Sequence, residues 1–424
     1  MNKATVFIIA LLLISLHVQS AGIFVKNTFY SQSLDQEKPY FVSLPDGYKE
    51  ADTVTKYPVI VFLHGASVDA QDMVDLIEPV LNNPLSRILF QNIFKVIFVI
   101  ADGSAPPYQG SFYTNSALYG NYEDYIASDL LAEIKSKYHT YNARQKWSIM
   151  GHSMGGYGSM KIALKHSDQF IGVASLSGPL DITYYDEILP LVLAENGDAP
   201  PYNFTYQGNI TKLVFSMAGA FSPNTTNDPP VFFPISSDGT VNQEIMPQWE
   251  ANNPINYIRE WKGNPKMAIF FYCGGKDGYK LLPENQFFSD TLDAYQIAHT
   301  FVEDPQGDHV NSLITSFPQG LNFLYNVMDT ATIVTEPSAI TEFNTRSNFV
   351  FPNPVRDRLY LSKKINDART SISVLTVNGS LIKRYTTEQV NNGIPSENLS
   401  PGVYFLSVQE PDRGNQLYRF LKIY

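Results

Sequence analysis

Apolar runs and helical patterns alternate along most of the chain. Continuous apolar runs are typical of parallel strands buried on both faces, and they occur at 57–65, 94–103, 147–150, 170–178 and 266–275. Apolar residues at helical spacing occupy 122–138, 282–298 and 310–328, and a last strand is predicted at 299–304. Because strands that alternate with helices form βαβ units, the pattern predicts an α/β fold with a doubly wound, mainly parallel sheet.

Three regions depart from this alternation. Residues 24–31 and 38–45 are predicted to form an antiparallel pair that leads into the sheet. The segment 179–265 is rich in proline, asparagine and threonine. We interpret it as an insertion that overhangs the predicted nucleophile, Ser153. Periodicity is lost over a linker at 330–348, and short alternating strands then predict a small all-β sandwich at 349–424.

The N-terminus has the composition of a secretory signal peptide over 1–20. Lys3 precedes an apolar stretch at 6–16, which is too short to span a bilayer. Small residues then precede a cleavage position before Ala21. We therefore expect an exported protein whose mature chain lacks a membrane span and whose first folded domain covers 21–329.

Composition and charge narrow the range of partners. The chain has 424 residues, so two domains are expected, and its hydrophobic fraction of 44% is ordinary for a globular protein. A formal charge of −11 argues against nucleic acid, whose binding proteins are usually basic, and against anionic lipid surfaces. Cys273 is the only cysteine, which excludes an intramolecular disulfide, and we expect a buried thiol. The sequence contains no metal-ligand cluster, phosphate loop or dinucleotide fingerprint, so no cofactor is predicted.

Glycines cluster between the strand at 147–150 and the helical pattern that begins at Met160. A glycine inside a helix costs about 1 kcal/mol relative to alanine, so these glycines need another reason. The stretch Gly151-His152-Ser153-Met154-Gly155 matches G-x-S-x-G, which marks a tight strand-to-helix turn that exposes its serine. The motif predicts Ser153 as a nucleophile, and the alternative is an ordinary glycine turn.

A serine hydroxyl needs a base that takes its proton and an acid that orients the base. In the chain order of the α/β-hydrolases both follow the nucleophile, the acid first. Among the histidines after Ser153, only His309 lies in a loop that follows the last predicted strand, so it is the predicted base. Asp277 follows an earlier strand in a glycine-containing turn and is the predicted acid, with Asp304 and Asp308 as rivals.

Acyl transfer also needs N–H donors for the oxyanion, and losing one lowers the rate by about 10²–10³. The residue after the nucleophile, Met154, supplies one backbone N–H. The second is expected from the loop after the first parallel strand, where we choose Ala66 and keep Gly65 as the alternative. His64 in the same loop is interpreted as structural rather than catalytic.

Five stretches together resemble the esterase D and feruloyl-esterase-like family of α/β-hydrolases: YFVSLPDGY, YPVIVFLHG, SFYTNSALYGNYEDYI, GHSMGGYGSMKIALKH and CGGKDGY. The resemblance spans about 37–325 and implies cleavage of acyl esters, including S-formylglutathione, siderophore esters, and feruloyl or acetyl esters of plant polysaccharides. It implies a site built from residues already singled out: Ser153, Asp277, His309, Ala66 and Met154. The stretch HGASVDA lacks the second glycine common in relatives, and the insertion at 179–265 is particular to this chain.

The tail resembles the C-terminal sorting domain of the type IX secretion system in four stretches, FPNPVRDRLYL, VLTVNGSLIKRY, LSPGVYFLSV and RFLKIY. The resemblance implies passage through the outer membrane, followed by release or surface anchoring after removal of the tail. The alternative is a carbohydrate-binding or spacer sandwich, which the lack of an obvious aromatic platform disfavours.

The leading hypothesis is a secreted serine carboxylesterase that removes feruloyl or acetyl groups from plant polysaccharide through an acyl-enzyme. Its substrate would be a small-molecule or polysaccharide-linked ester, and the type IX machinery would be its partner in export. Aromatic residues of the insertion would suit a sugar or phenolic ring, although packing within the insertion explains them equally. The alternatives are a serine peptidase or acyltransferase on the same triad, and a catalytically silent surface binding protein.

Overall fold

The computed structural model describes residues 23–81, 90, 94–331, 350–352, 355–376, 381–400, 402–410 and 414–422. The chain divides into two compact units, Met1–Thr332 and Ile333–Tyr424. The signal peptide predicted at 1–20 lies outside the described residues, as does the linker predicted at 330–348 apart from its first two residues. Within the described residues, no helix combines the length and the apolar character that crossing a bilayer requires.

Eight strands form the main sheet of the first unit. In chain order they are β1 (Val25–Ser31), β2 (Gln36–Ser43), β3 (Val59–Leu63), β4 (Ile97–Ala101), β5 (Trp147–His152), β6 (Gly172–Leu176), β7 (Ala268–Gly274) and β8 (His299–Asp304). Their spatial order is β1-β2-β4-β3-β5-β6-β7-β8. The first two strands are antiparallel to their neighbours, and the other six run parallel. The predicted doubly wound, mainly parallel sheet is confirmed.

The central strands are continuous apolar runs because both faces of the sheet are covered. Every residue of β3 is buried. Val59, Val61 and Leu63 enter one hydrophobic cluster, whereas Ile60 and Phe62 enter a second cluster on the other face. Successive side chains of a strand point to opposite faces, so a strand buried on both sides has no polar alternation.

Helices form a layer on each face of this sheet. In chain order the described helices of the unit are α1 (Ala70–Leu81), α2 (122–137, π-helical over Tyr125–Leu130), α3 (Met154–Lys165), α4 (Tyr185–Asn196), α5 (Ile210–Phe221), α6 (Met246–Glu250), α7 (Pro254–Trp261), α8 (Leu282–Ala294) and α9 (Leu313–Thr330). Met160 and Ile162 of α3 belong to the first cluster, whereas Phe317 of α9 and Met73 of α1 belong to the second. The layers are therefore helix, sheet, helix.

Two of these helices differ from the sequence-based expectation. Sequence analysis misses α1, whose Pro79 is typical of a helix end but here lies inside the helix. Helix α3 begins at Met154, directly after the serine, rather than near Met160. The glycines that weaken the helical pattern in the sequence belong to its first two turns, where close packing rather than propensity decides the conformation.

The insertion at 179–265 is folded and contains α4 to α7. Its aromatic rings pack on one another, with the centroid of Phe233 4.7 Å from those of both Phe204 and Phe215. Trp249 is 1% exposed and packs edge-on against Phe221. These aromatic side chains therefore form a core of the insertion, which favours the packing interpretation over an exposed platform for sugars.

A carboxylate joins two helices of the insertion. Glu195, near the end of α4, accepts hydrogen bonds of 2.8–3.0 Å from the N–H groups of Asn209, Ile210 and Thr211 at the start of α5. The first N–H groups of a helix lack partners within the helix and favour a negative charge. Glu195 therefore fixes α4 against α5, and its pKa is lowered by these hydrogen bonds despite partial burial.

The second unit consists mainly of short antiparallel strands, with one short helix, α10 (Thr387–Asn391). The strands are β9 (Val350–Phe351), β10 (Arg358–Leu361), β11 (Ser371–Thr376), β12 (Leu381–Tyr385), β13 (Ile394–Pro395), β14 (Gly402–Glu410) and β15 (Gly414–Lys422). They form a three-stranded sheet, β9-β10-β13, and a four-stranded sheet, β12-β11-β14-β15. Leu359 of the first sheet and Ile372, Leu406 and Phe420 of the second share one hydrophobic cluster. The small all-β architecture predicted for the tail is confirmed.

Candidate active site

Ser153 stands at the sharp turn between β5 and α3. Its backbone angles are φ 55° and ψ −120°, a conformation that a residue with a side chain adopts only under strain. The backbone N–H of Ser153 donates to the carbonyl of Leu176 at 2.9 Å, which ties the turn to the end of β6. The half-buried serine is therefore held where a strand-to-helix turn of this type presents a nucleophile.

Two glycines of the motif make this turn possible. A Cβ at Gly155 would lie 1.9 Å from the carbonyl oxygen of Leu63, and a Cβ at Gly151 would lie 2.3 Å from that of Gly155. Leu63 ends the neighbouring strand β3, so any side chain here would push the turn off the sheet. The glycines are needed for close approach of the backbone, which explains why the chain tolerates them beside a helix.

His309 lies between Ser153 and Asp277. Its Nε2 is 2.8 Å from Ser153 Oγ, and its Nδ1 is 2.7 Å from Asp277 Oδ2. Asp277 is 2% exposed and His309 is 9% exposed. Because the carboxylate accepts the proton on Nδ1, Nε2 is left to accept the proton of the serine hydroxyl. The structure thus brings together the three residues that the sequence singles out.

Backbone contacts set the distance between Asp277 and His309. The turn after β7 meets the loop after β8, where the N–H of Gly275 donates to the carbonyl of Asp304 at 2.7 Å. The other oxygen of Asp277 accepts the N–H of Tyr279 at 2.8 Å. The ring of Tyr279 packs edge-on against the imidazole, with centroids 4.5 Å apart. Both loops are therefore fixed before any substrate binds.

The two rival acids have other partners. Asp304 accepts a hydrogen bond of 2.6 Å from the hydroxyl of Tyr272. Asp308 accepts the backbone N–H groups of the turn that precedes α9. Among the described contacts neither carboxylate reaches the imidazole of His309, and Asp277 is the one that orients it.

His152, the residue before the serine, contacts the loop of His309. Its Nε2 is 2.7 Å from the backbone oxygen of His309, and the two ring centroids are 5.1 Å apart. Since a carbonyl oxygen can only accept, Nε2 of His152 carries a proton. Burial, together with the nearby His309, lowers the pKa of His152 to about 4, so the ring is neutral near pH 7. Sequence analysis assigns no role to His152, although its place inside the motif is a signal.

Met154 and Ala66, the two predicted oxyanion donors, are each next in sequence to a residue at the nucleophilic turn. Met154 is the first residue of α3, so its N–H has no partner within the helix. Gly65 touches the serine, because a Cβ added there would lie 3.3 Å from Ser153 Cβ, and Ala66 is the next residue. Among the described residues, neither the N–H of Met154 nor that of Ala66 has a hydrogen-bond acceptor.

A cleft opens over Ser153 and His309. The insertion supplies apolar lining from α4, α5 and α6: Ile188, Val192, Leu213, Val214, Met217 and Trp249. Acidic side chains also line the cleft, and burial raises the pKa of Glu284 well above its usual value, whereas Glu187 is exposed. Sequence analysis does not find these lining residues, because their helical spacing is weak evidence until the helices are placed over the sheet.

Cys273 is not among the residues that line the cleft over Ser153. Cys273 is fully buried in β7, as predicted, and burial raises the pKa of its thiol, which disfavours the reactive thiolate. The described residues contain no group of three or more histidine, cysteine, aspartate or glutamate side chains arranged to hold a metal ion.

Comparison with known families decides the classification of the first unit. The family model described as "Putative esterase" matches residues 31–310, more than half of the chain. The chain belongs to this esterase family. A second model, the "Secretion system C-terminal sorting domain", matches residues 349–420 of the esterase. Both resemblances noted in the sequence are therefore confirmed.

The esterase has relatives of known name. It is 28% identical over 149 residues to two curated proteins of Mycobacterium tuberculosis, esterase MT1326 and esterase Rv1288. Each alignment covers 33% of this chain and 29% of the relative, so the chain spans less than a third of the length of these relatives. A solved ferulic acid esterase is similar in structure, with a TM-score of 0.50 and 20% identity over 72% of this chain and 97% of that one. This likeness concerns the fold, and it confirms the predicted α/β-hydrolase fold.

Proposed function

We propose that the protein is a secreted serine carboxylesterase that acts through an acyl-enzyme. The observation that carries the proposal is the hydrogen-bonded series from Ser153 through His309 to Asp277, with distances of 2.8 and 2.7 Å. A strained turn presents the serine, and among the described residues the N–H groups of Met154 and Ala66 have no acceptor. Membership of an esterase family supports the same reaction class.

The geometry supports a two-step reaction. Ser153 Oγ attacks the ester carbonyl carbon while His309 Nε2 takes the hydroxyl proton, and the oxyanion accepts hydrogen bonds from Met154 and Ala66. The imidazolium, stabilised by Asp277, then protonates the alcohol oxygen as the ester C–O bond breaks. Water attacks the acyl-enzyme in the second step and gives its proton to His309, which returns it to Ser153 as the acid leaves.

Feruloyl and acetyl esters of plant polysaccharide are the proposed substrates. An apolar lining supplied by the insertion suits an aromatic acyl group better than acetyl, because a larger apolar group gains more from burial against it. The packing of the insertion's aromatic rings on one another leaves the polysaccharide part of the substrate without an obvious platform. We therefore expect the acyl group, rather than the sugar, to decide selectivity.

Labelling with a fluorophosphonate probe tests the nucleophile. We expect the purified protein to be labelled at Ser153, and a panel of methyl ferulate, acetyl-xylan and short-chain aryl esters to show a burst of alcohol product. Labelling without ester hydrolysis, but with cleavage of peptide anilides, would support a peptidase on the same triad. Transfer of the acyl group to an added alcohol faster than to water would support an acyltransferase. Absence of labelling would mean a silent binding protein.

The tail carries a proposal of its own. The matched sorting domain supports export to the cell surface or the medium, and we propose that it directs the esterase through the type IX machinery after the segment 1–20 is removed. Deletion of 349–424 in a bacterium that has this system should leave the enzyme in the periplasm with its activity retained. Export of the truncated chain would contradict the proposal.

A further inference from the structure

His64 is fully buried directly after β3, in the loop that leads to Ala66. Its Nδ1 is 2.7 Å from the carbonyl oxygen of Gly65, and its Nε2 is 2.8 Å from the backbone nitrogen of Gly103. A backbone N–H can only donate, so Nε2 is the acceptor and Nδ1 carries the proton that is given to Gly65. Both ring nitrogens have partners, and the tautomer is fixed.

The hydrogen bond to Gly65 fixes one peptide plane. The carbonyl of Gly65 and the N–H of Ala66 belong to the same trans peptide, so they point in opposite directions. Since the carbonyl faces the buried imidazole, the N–H of Ala66 faces away from it. Gly65 also touches the nucleophile, as the 3.3 Å approach of a Cβ there to Ser153 Cβ indicates. The residue that precedes the fixed N–H therefore packs against Ser153.

The other side of the imidazole is anchored to β4 and its loop. Asp102, the residue before Gly103, forms a buried ion pair with Lys38 at 3.0 Å. The hydroxyl of Tyr113 donates to the carbonyl of His64 itself at 3.1 Å. Burial lowers the pKa of His64, so the ring remains neutral near pH 7 and does not act as an acid or a base.

We propose that His64 is a positioning residue, which orients the Ala66 N–H toward the oxyanion that forms on the acyl group attached to Ser153. This inference rests on the proposed esterase function. It gives a reaction-specific role to a residue that the sequence identifies only as structural. The imidazole never touches the substrate and acts through the peptide between Gly65 and Ala66.

Two substitutions separate the two hydrogen bonds of the ring. The amide of His64→Asn lies near the position of Nδ1 and keeps a donor for Gly65, whereas the amide of His64→Gln lies near Nε2 and keeps only an acceptor for Gly103. We expect kcat for p-nitrophenyl butyrate to fall about 100-fold in His64→Gln and less than about tenfold in His64→Asn, with KM within about twofold of wild type in both. An oxyanion donor acts in the transition state, so the loss belongs in kcat.

Further measurements distinguish positioning from folding. The pH profile of kcat/KM should be unchanged in both variants, because His309 and its partners are not altered, and thermal unfolding should not follow the loss of kcat. Equal losses of kcat in the two variants, or a loss seen mainly in KM, would overturn the proposal. If His64→Gln is insoluble, Tyr113→Phe is measured in its place. We expect its kcat to be about threefold lower at unchanged KM, because one oxyanion contact is weakened rather than lost. An unchanged kcat would overturn the proposal. A wild-type protein that neither hydrolyses the ester nor reacts with the fluorophosphonate would contradict the proposed function instead.

Discussion

Two serines of the first unit form a hydrogen bond with a histidine at nearly the same distance. Ser153 Oγ is 2.8 Å from His309 Nε2, and Ser289 Oγ is 2.7 Å from His299 Nε2. Each pair also has a nearby aspartate. By residue type and by this one distance, the two sites are almost indistinguishable.

The partners of the two imidazoles differ. Asp277 Oδ2 is 2.7 Å from His309 Nδ1 with its side chain 1% exposed, whereas Asp293 Oδ1 is 3.9 Å from His299 Nδ1 with its side chain 76% exposed. Nδ1 of His299 instead donates to the carbonyl of Ile297 at 3.0 Å. A neutral carbonyl orients the ring but stabilises an imidazolium less than a buried carboxylate does.

The backbone around the two serines differs more than the side chains do. Ser153 precedes helix α3, so the N–H of the following residue is free to bind an oxyanion. Ser289 lies inside α8 (Leu282–Ala294), where the N–H of the following residue is used by the helix. Ser289 and His299 are also absent from the residues that line the cleft. A serine–histidine hydrogen bond can support acyl transfer only where the backbone also supplies oxyanion donors and where there is space for the acyl group.

Substitution of the two serines gives the largest contrast. We expect Ser153→Ala to lower kcat for p-nitrophenyl butyrate by about 10⁶-fold, because the covalent route is lost. Ser289→Ala should leave kcat within about twofold of wild type, since it removes one half-buried hydroxyl from a helix. Steady-state kinetics, checked by fluorophosphonate labelling of both variants, measures the difference. A large loss in Ser289→Ala, or a small one in Ser153→Ala, would reverse the assignment.

The two aspartates give the next contrast. Asp277→Asn should lower kcat by about 10⁴-fold, because an amide favours the wrong tautomer of His309 and cannot stabilise its protonated form. Asp293→Asn should change kcat little, because Asp293 is exposed and 3.9 Å from its histidine. Pre-steady-state measurement of the burst phase would show whether acylation carries the loss in Asp277→Asn. Equal kinetics of the two variants would contradict the role of Asp277.

Much of the difference between the Ser153 and Ser289 sites can be predicted from the sequence, and some of it cannot. The glycines around Ser153 predict a tight strand-to-helix turn, because glycine is unfavourable inside a helix and needs another reason to be there. His309 follows by elimination, since chain order leaves few loops that can return to the serine. The parallel strands are visible because burial on both faces leaves no polar alternation. Residues whose type is required by the backbone conformation, or whose position is required by the chain order of the fold, can therefore be identified from the sequence alone.

The cleft and the packing of the helices cannot be predicted from the sequence, because they depend on contacts between distant residues. Apolar residues of α4 and α5 line the cleft because the two helices pack together, and Glu195 links them across 14 to 16 residues of sequence. Pro79 suggests a helix end, but packing against the sheet outweighs this local preference in α1. The hydrogen bond from His152 to the carbonyl of His309 likewise depends on the meeting of the end of β5 with a loop that is distant in sequence.

The anchoring of the two serine-bearing helices offers a third contrast. Lys161 of α3 is fully buried and lies 3.1 Å from Glu123 Oε2, and Lys165 also pairs with this carboxylate at 2.6 Å. Gln286 of α8 contacts Glu303 at 3.0 Å on the exposed surface. We expect Glu123→Gln to lower the free energy of unfolding by about 3 kcal/mol, because it leaves a buried ammonium unpaired, and Glu303→Gln to have little effect.

The pH dependence of stability tests the same buried pair. The cationic neighbours and the hydrogen bond with His166 lower the pKa of Glu123 below its usual value of 4.5 despite its burial. A carboxylate whose pKa is lower in the folded state contributes stability above pH 4.5, and this contribution is lost as the pH falls below that value. The melting temperature of wild type should therefore decrease on acidification more steeply than that of Glu123→Gln. Parallel curves for the two proteins would mean that Glu123 is not the group responsible.

The smallest expected effect concerns the charge of the cleft. Ser153 lines this cleft and Ser289 does not. Glu187 is exposed and lines the cleft, so its negative charge should disfavour an acyl group that carries a carboxylate. We expect Glu187→Gln to raise kcat/KM for a p-nitrophenyl succinate monoester about two- to fivefold and to leave the neutral butyrate ester unchanged. Asp290→Asn, an exposed acid beside Ser289, is the matched control and should change neither substrate. The gain should shrink as salt is raised from about 0.01 to 0.5 M, because an exposed charge is screened over a few ångströms at the higher concentration. A gain that is independent of salt, or equal for both esters, would mean that Glu187 acts through the shape of the cleft rather than through its charge.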